Sequence, residues 1–152
     1  MISIIVPVYN VAKSIEACVK SIQLQDFTDW ELLLVNDGSN DESLTVIQEL
    51  ARTDSRIIVI NKRHGGVSET RNLALSKMRG EYVCFIDGDD VVEHNHLSNL
   101  YSRRDYDMVI CGYKVDEYTY GGNLIRTAEH IPTKIKIERL SANRESLKPL
   151  FL

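Results

Sequence analysis

Asp87-Gly88-Asp89-Asp90 puts three carboxylates within four positions, directly after the apolar run Tyr82-Val83-Cys84-Phe85-Ile86. Like charges this close raise one another's pKa unless something positive is shared between them. A divalent cation carrying a phosphorylated ligand suits the arrangement, because hard ions take oxygen ligands and combine a few carboxylates with substrate phosphates. Gly88 lets the turn tighten so that the carboxylates converge. By itself the stretch also fits an acidic turn that opens the next helix.

Other polar residues recur at comparable places. Tyr9 and Asn10 follow an apolar run closed by Pro7, and Asp37 follows Glu31-Leu32-Leu33-Leu34-Val35. Arg71 lies four residues after Val67 and so on the same, core-facing side of a helix. Separately, Asp37 fits an Asx turn, Arg71 a surface ion pair and Tyr9 a packing aromatic. Together they offer carboxylates for a base and ribose, a metal site, and an arginine that binds phosphate bidentately. That set suits a nucleoside diphosphate. Neither G-x-G-x-x-G after the first strand nor G-x-x-x-x-G-K-[ST] occurs, which disfavours a dinucleotide fold or a phosphate-binding loop.

The elements that must position these residues alternate. Apolar runs at residues 2–6, 31–35, 56–60 and 82–86 read as buried strands. Ile15, Cys18, Val19 and Ile22 give a helix over residues 13–25 its inner face. Ser39 with Glu42 fits a capping box for a second helix, with Leu44, Ile47 and Leu50 inside. Val67, Ala74, Leu75 and Met78 line a third, ending at Gly80. The expected fold class is α/β, a mostly parallel sheet flanked by helices, in which all strand carboxyl ends share one edge. Beyond it, a short helix at 96–101, a strand at 107–113, a hairpin tip at 118–123, a strand at 135–137 and a helix at 142–147 are expected.

At 152 residues the chain has the size of one domain. Its 18 basic and 22 acidic residues, net −4, argue against nucleic acid as a partner. No apolar run reaches the length of a membrane span, and Met1 leads straight into a strand, so a cytoplasmic protein is expected. Cys18, Cys84 and Cys111 lie far apart in apolar segments and read as reduced thiols.

Ser3-Ile4-Ile5-Val6-Pro7-Val8-Tyr9-Asn10, Val35-Asn36-Asp37-Gly38-Ser39, Gly65-Gly66-Val67-Ser68-Glu69-Thr70-Arg71-Asn72 and Asp87-Gly88-Asp89-Asp90 resemble the family 2 glycosyltransferases in order and spacing. The resemblance covers residue 2 to about residue 113. It implies a GT-A fold, Rossmann-like, and inverting transfer of sugar from a nucleotide-sugar donor, often UDP-linked. It points to Pro7, Tyr9 and Asp37 at the base, Arg71 at the nucleotide or diphosphate, and Asp87 near the ribose. Asp89 would bind Mn²⁺ or Mg²⁺, with Asp90 a supporting acid near the donor sugar. The implied acceptor is a saccharide or lipid-linked saccharide. Assembly of surface polysaccharide on a lipid carrier, common in the family, implies peripheral association with the cytoplasmic membrane face.

The chain departs from the family pattern in two ways. His94 stands where many members have a proline, and His94-x-His96 reads as a solvated helix start rather than a metal pair. Inversion also needs a general base within hydrogen-bond reach of the acceptor hydroxyl. The family supplies it well downstream of the D-x-D element; here Asp116-Glu117 is an acidic pair but comes early, so these two are weak candidates. The expected organisation is a nucleotide-sugar-binding core at 1–113 and an incomplete start of the acceptor side at 114–152. The chain is thus expected to be the donor-binding part of a longer enzyme, or a shortened form. A nucleotide-sugar-binding module without transfer activity is the alternative. A sugar-phosphate nucleotidyltransferase is the other enzyme class considered, but Pro7-Val8-Tyr9-Asn10 lacks its Gly-rich basic loop.

Overall fold

The computed structural model describes residues 1–118, 124–130 and 150–151. Its strands are β1 (Ile2–Val8), β2 (Trp30–Asp37), β3 (Ile57–Lys62), β4 (Tyr82–Phe85), β5 (Met108–Val109), β6 (Tyr113–Tyr118), β7 (Leu124–His130) and β8 (Leu150–Phe151). Its helices are α1 (Ile15–Gln23), α2 (Ser43–Thr53), α3 (Val67–Lys77) and α4 (His96–Tyr101). Six strands form one parallel sheet in the order β3-β2-β1-β4-β8-β5, and β6 and β7 pair antiparallel as a separate hairpin. The α/β expectation holds.

Alternation along β1 splits the core between the two faces of the sheet. Ile2, Ile4, Val6 and Val8 pack with Ile15, Cys18, Val19 and Ile22 of α1, Ile47 of α2, and Leu97 and Leu100 of α4. On the other face Ile5, Leu33, Val35 and Val83 meet Ala74 of α3. Each fully buried aliphatic side chain contributes about 1.5–3 kcal/mol, so the sheet centre is held by hydrophobic burial. One buried charge closes the sheet's opposite end. Glu31 accepts from the Ser3 hydroxyl at 2.6 Å and from Arg79 Nε at 2.7 Å, tying the segment after α3 to β1 and β2.

Four details differ from the sequence expectation. Pro7 does not end β1, which runs on to Val8 opposite Asn36. Ile2 N–H donates toward the β2 side and the Ile5 carbonyl accepts from Ile86, so odd-numbered backbone groups face β4. Register with β4 stops at Ile5 and Phe85, so the N–H that Pro7 lacks would have had no strand partner. Ser39 and Glu42 form no capping box. Helix α2 starts at Ser43, whose N–H and hydroxyl both donate to Asp41 Oδ1, at 3.0 and 2.5 Å. Helix α3 buries Thr70 and Ala74, whereas Val67 and Leu75 are exposed, so the Val67–Arg71 side faces away from the core. Finally, the segment expected as one strand at 107–113 is divided, with β5 in the main sheet and Tyr113 opening the hairpin.

The hairpin expected around residues 118–123 is present in its arms, and its tip lies outside the described residues. So do the strand at 135–137 and the helix at 142–147. The apolar segment at the chain's end supplies β8, seated between β4 and β5. None of the three cysteines is joined in a disulfide; Cys18 and Cys84 are buried and Cys111 half-buried. Among the described residues no helix is long and apolar enough to cross a membrane.

Candidate functional site

The chain lays down β1, β2 and β3 in one direction, then crosses back to place β4 on the other side of β1. Loops leaving β1 and β4 therefore diverge, and open α/β sheets bind ligands in such a crevice. A cavity of about 240 Å³ lies there. Pro7 reaches it from β1, Tyr9 from the loop that follows, Asp37 from the end of β2, and Asp87 and Asp89 from the turn after β4. His64, Gly66, Val67 and Thr70, leading into α3, complete one wall.

The first loop is fixed by the second. Asn10 adopts a left-handed backbone (φ 55°), which asparagine tolerates better than most residues. Its N–H donates to Ser39 Oγ at 3.1 Å and its Oδ1 accepts from Asn40 N–H at 2.8 Å. Val11 N–H donates to Ser43 Oγ at 2.9 Å and Ala12 N–H to Asp41 Oδ2 at 3.1 Å. Tyr9 is thereby held at the cavity mouth, its ring stacked on that of His64 with centroids 4.4 Å apart.

Asp37 is the best-satisfied group of the site. Oδ1 accepts from Lys62 Nζ at 2.6 Å and Gly65 N–H at 2.9 Å. Oδ2 accepts from Gly66 N–H at 2.9 Å and lies 3.0 Å from His64 Nδ1. Burial works to raise its pKa, but the Lys62 bond, the two glycine amides and the Lys62 charge outweigh it and hold the carboxyl at about 2. The same bond raises the Lys62 ammonium above its ordinary value. Gly38, beside it, has φ +68°, and a Cβ there would stand 2.7 Å from the His64 backbone nitrogen, so two backbones meet where only glycine fits.

The acidic turn is packed onto β1 and α1. Asp90 N–H donates to the Asp87 carbonyl at 3.0 Å, and the Gly88 carbonyl accepts from Ser14 Oγ at 3.2 Å. A Cβ on Gly88 would come within 3.2 Å of the Pro7 carbonyl, so this glycine serves close packing. Asp87 pairs with Arg71 at 2.8 Å, and the guanidinium lies over the Phe85 ring at 5.4 Å. Arg71 Nε is buried and has no hydrogen-bond partner among the described residues. Asp90 lies outside the cavity lining; burial first, then the Asp89 and Asp87 charges, raise its pKa. Cys18, beneath the turn, is pushed up to about 12 by burial and by the same three carboxylates.

Among the described residues no three His, Cys, Asp or Glu side chains form a ready-made metal group. The donor set still fits a hard ion of the Mg²⁺ or Mn²⁺ kind, which is held by one or two carboxylates and completed by substrate phosphates. Asp89 is an exposed carboxylate on the cavity wall, and Asp90, with its raised pKa, gains from any added positive charge.

The remaining candidates lie elsewhere. Asp116 and Glu117 sit on β6, and no residue of β6 lines the cavity; Asp116 accepts from Thr127 Oγ1 at 2.6 Å across the hairpin. His94 and His96 have separate partners: the Leu24 carbonyl takes His94 Nδ1, while His96 Nε2 lies 3.9 Å from Cys84 Sγ. Helix α4 does begin at His96, but that ring is mostly buried rather than solvated, and burial lowers its pKa. Lys62 escaped the sequence reading. Its signal was only its place at the end of β3, directly opposite Asp37 in register.

The model for "Glycosyl transferase family 2" matches residues 3–150. The chain belongs to glycosyltransferase family 2. It is 40% identical over 116 residues to "Uncharacterized glycosyltransferase EpsJ" of Bacillus subtilis (strain 168), covering 74% of this chain and 34% of that protein. It is 31% identical over 153 residues to the "GalNAc(5)-diNAcBac-PP-undecaprenol beta-1,3-glucosyltransferase" of Campylobacter jejuni, covering 99% of this chain and 47% of that one. Among solved structures, S. aureus TarS 1-349 in complex with UDP-GlcNAc matches with TM-score 0.66 and 28% identity over 82% of this chain and 37% of that one. The mannosyltransferase PcManGT from Pyrobaculum calidifontis, in complex with GDP-Man and Mn2+, matches with TM-score 0.57 and 27% identity over 59% and 28%. The family 2 chain thus has the GT-A fold that its motifs implied. It spans about a third of the length of EpsJ and under half of each of the others.

Proposed function

We propose that this family 2 chain binds the donor of a metal-dependent, inverting glycosyltransferase that moves sugar from a nucleotide diphosphate, UDP in the first place, to a hydroxyl. The observation that carries the reading is one cavity bounded by Tyr9 and Asp37 on one side and by Asp87 and Asp89 on the other. Pro7 and Tyr9 give the base a flat apolar wall, and Asp37 gives it an ionised acceptor. Asp87 accepts from ribose hydroxyls, while Arg71, already paired with Asp87, turns its remaining donors to the diphosphate. Asp89 holds Mn²⁺ or Mg²⁺, with Asp90 supporting it near the sugar. The ion supplies neutralisation of charge on the leaving diphosphate. The UDP-GlcNAc and GDP-Man/Mn2+ complexes of the structural neighbours support donor and metal.

The acceptor is a saccharide or a lipid-linked acceptor, the second supported by the undecaprenol-linked name of the Campylobacter relative, and the enzyme works in the cytoplasm at the inner face of the membrane. Residues 1–113 carry the donor core, whose sheet β8 completes, and the acceptor side begins within 114–152, with Asp116 or Glu117 the base candidates. The second reading, a donor-binding module without transfer, is favoured by the placement of both acids on a hairpin away from the cavity lining. Incubating the purified protein with UDP-sugars, Mn²⁺ and a lipid-linked saccharide separates the readings. New glycosidic product of inverted configuration, seen by NMR, supports the enzyme. Tight UDP binding with neither product nor donor hydrolysis supports the module, and failure to bind any nucleotide overturns both.

A further inference from the structure

The His64 ring, in the cavity wall, stacks on Tyr9, and the two planes lie 25° apart at 4.4 Å, leaving no room for a third ring between them. Its Nδ1 lies 3.1 Å from the Asp37 backbone carbonyl and 3.0 Å from Asp37 Oδ2. Both neighbours are acceptors, so Nδ1 carries the proton. A carboxylate offers about four acceptor positions; Lys62, Gly65 and Gly66 take three on Asp37, and the His64 ring, hydrogen-bonded to the Asp37 backbone carbonyl, stands 3.0 Å from Oδ2 in front of the remaining one. Three of these donors are fixed. Gly65 and Gly66 donate from the backbone. Lys62, with its side chain only 11% exposed, is also held by Glu69 at 3.1 Å and by the Arg63 carbonyl at 2.7 Å. The His64 side chain, 57% exposed, is the donor able to leave.

We propose that His64 is a positioning residue that keeps the place of the nucleobase: a planar ring on Tyr9 donating one N–H to Asp37. A base with a ring N–H, such as uracil, makes the same two contacts and takes them over as the imidazole swings out. This rests on the reading that the base lies against Tyr9 and Asp37. It assigns the exposed histidine a competing role, so that base binding is weakened by the work of displacing it, and only a ring able to replace both contacts wins.

Calorimetry with UDP and Mn²⁺ on the wild-type protein and on His64→Ala tests the idea, alongside NMR of the His64 ring. Removing the competitor should tighten UDP binding about tenfold, as expected when an occluded site is freed. In the wild type, UDP should move the His64 ring signals away from the ring-current shift imposed by Tyr9. Equal or weaker UDP binding by His64→Ala, or His64 signals still shifted by Tyr9 at saturation, overturns the placeholder while leaving the nucleotide site standing. If neither protein binds UDP, GDP or dTDP with metal present, the nucleotide reading itself falls and takes the placeholder with it.

Discussion

Asp37→Asn removes a charge from the most heavily bonded side chain of the cavity and changes little else in size. The wild-type carboxyl titrates at about 2 instead of 3.8. At 1.36 kcal/mol per pH unit that difference corresponds to about 2 kcal/mol of stability. A carboxyl whose folded pKa is depressed contributes fully above its unfolded value and loses the contribution as pH falls through the folded one. The wild-type protein should therefore exceed Asp37→Asn by about 2 kcal/mol or more at pH 7, and the gap should shrink between pH 4 and pH 2. Asp54, also held at about 2 by Arg56, acts in the same window but is present in both proteins and cancels in the difference. Urea unfolding of the two proteins at pH 7, 4.5, 3 and 2 measures the gap directly. A gap that stays constant over this range would refute the assignment of the stabilisation to the ionised Asp37.

Other outcomes follow from the same geometry. Gly38→Ala forces a Cβ into the His64 backbone at a left-handed position and should cost about 1–3 kcal/mol in thermal or urea unfolding. Ile22→Ala empties a fully buried site between α1 and the sheet and should cost about 2–5 kcal/mol by the same measurement, with UDP affinity retained. Arg71→Ala removes the charged donor beside Asp87, so UDP affinity by calorimetry should fall about 10–100-fold, the scale of a charge-assisted hydrogen bond.

Much of this architecture is written in short-range patterns. β1 and β2 are buried on both faces, so their sequences are nearly continuous apolar runs that read as strands without ambiguity. Helix α1 buries Ile15, Cys18, Val19 and Ile22 and so carries its 3.6-residue period in plain view. Helix α3 does not. Its buried Thr70 and exposed Val67 both stand on the cavity wall and Ala74 faces the core, because this helix serves the site as well as the core. The capping box at Ser39 failed because the serine hydroxyl is used across loops by Asn10, a partner 29 residues away that no local motif reveals. The gathering of Tyr9, Asp37, Asp87 and Asp89 at one cavity was legible for a different reason: acids and tyrosine at strand ends stand out against apolar runs, and a parallel sheet sends those ends to one edge. His64 reads from the sequence as a loop histidine at the cleft edge, but its contact with Asp37, like that of Lys62, stayed obscure because it arises only through strand register and loop packing.

The proposed metal–diphosphate site depends on Asp89 and the cavity beside it. Calorimetric titration of UDP with and without Mn²⁺, into the wild-type protein and Asp89→Ala, tests it most directly. Binding that is strengthened by Mn²⁺ in the wild type, with that strengthening lost in a folded Asp89→Ala, is the predicted result. UDP binding that ignores both the ion and the substitution would contradict the metal–diphosphate site, and no UDP binding at all would contradict the donor cavity.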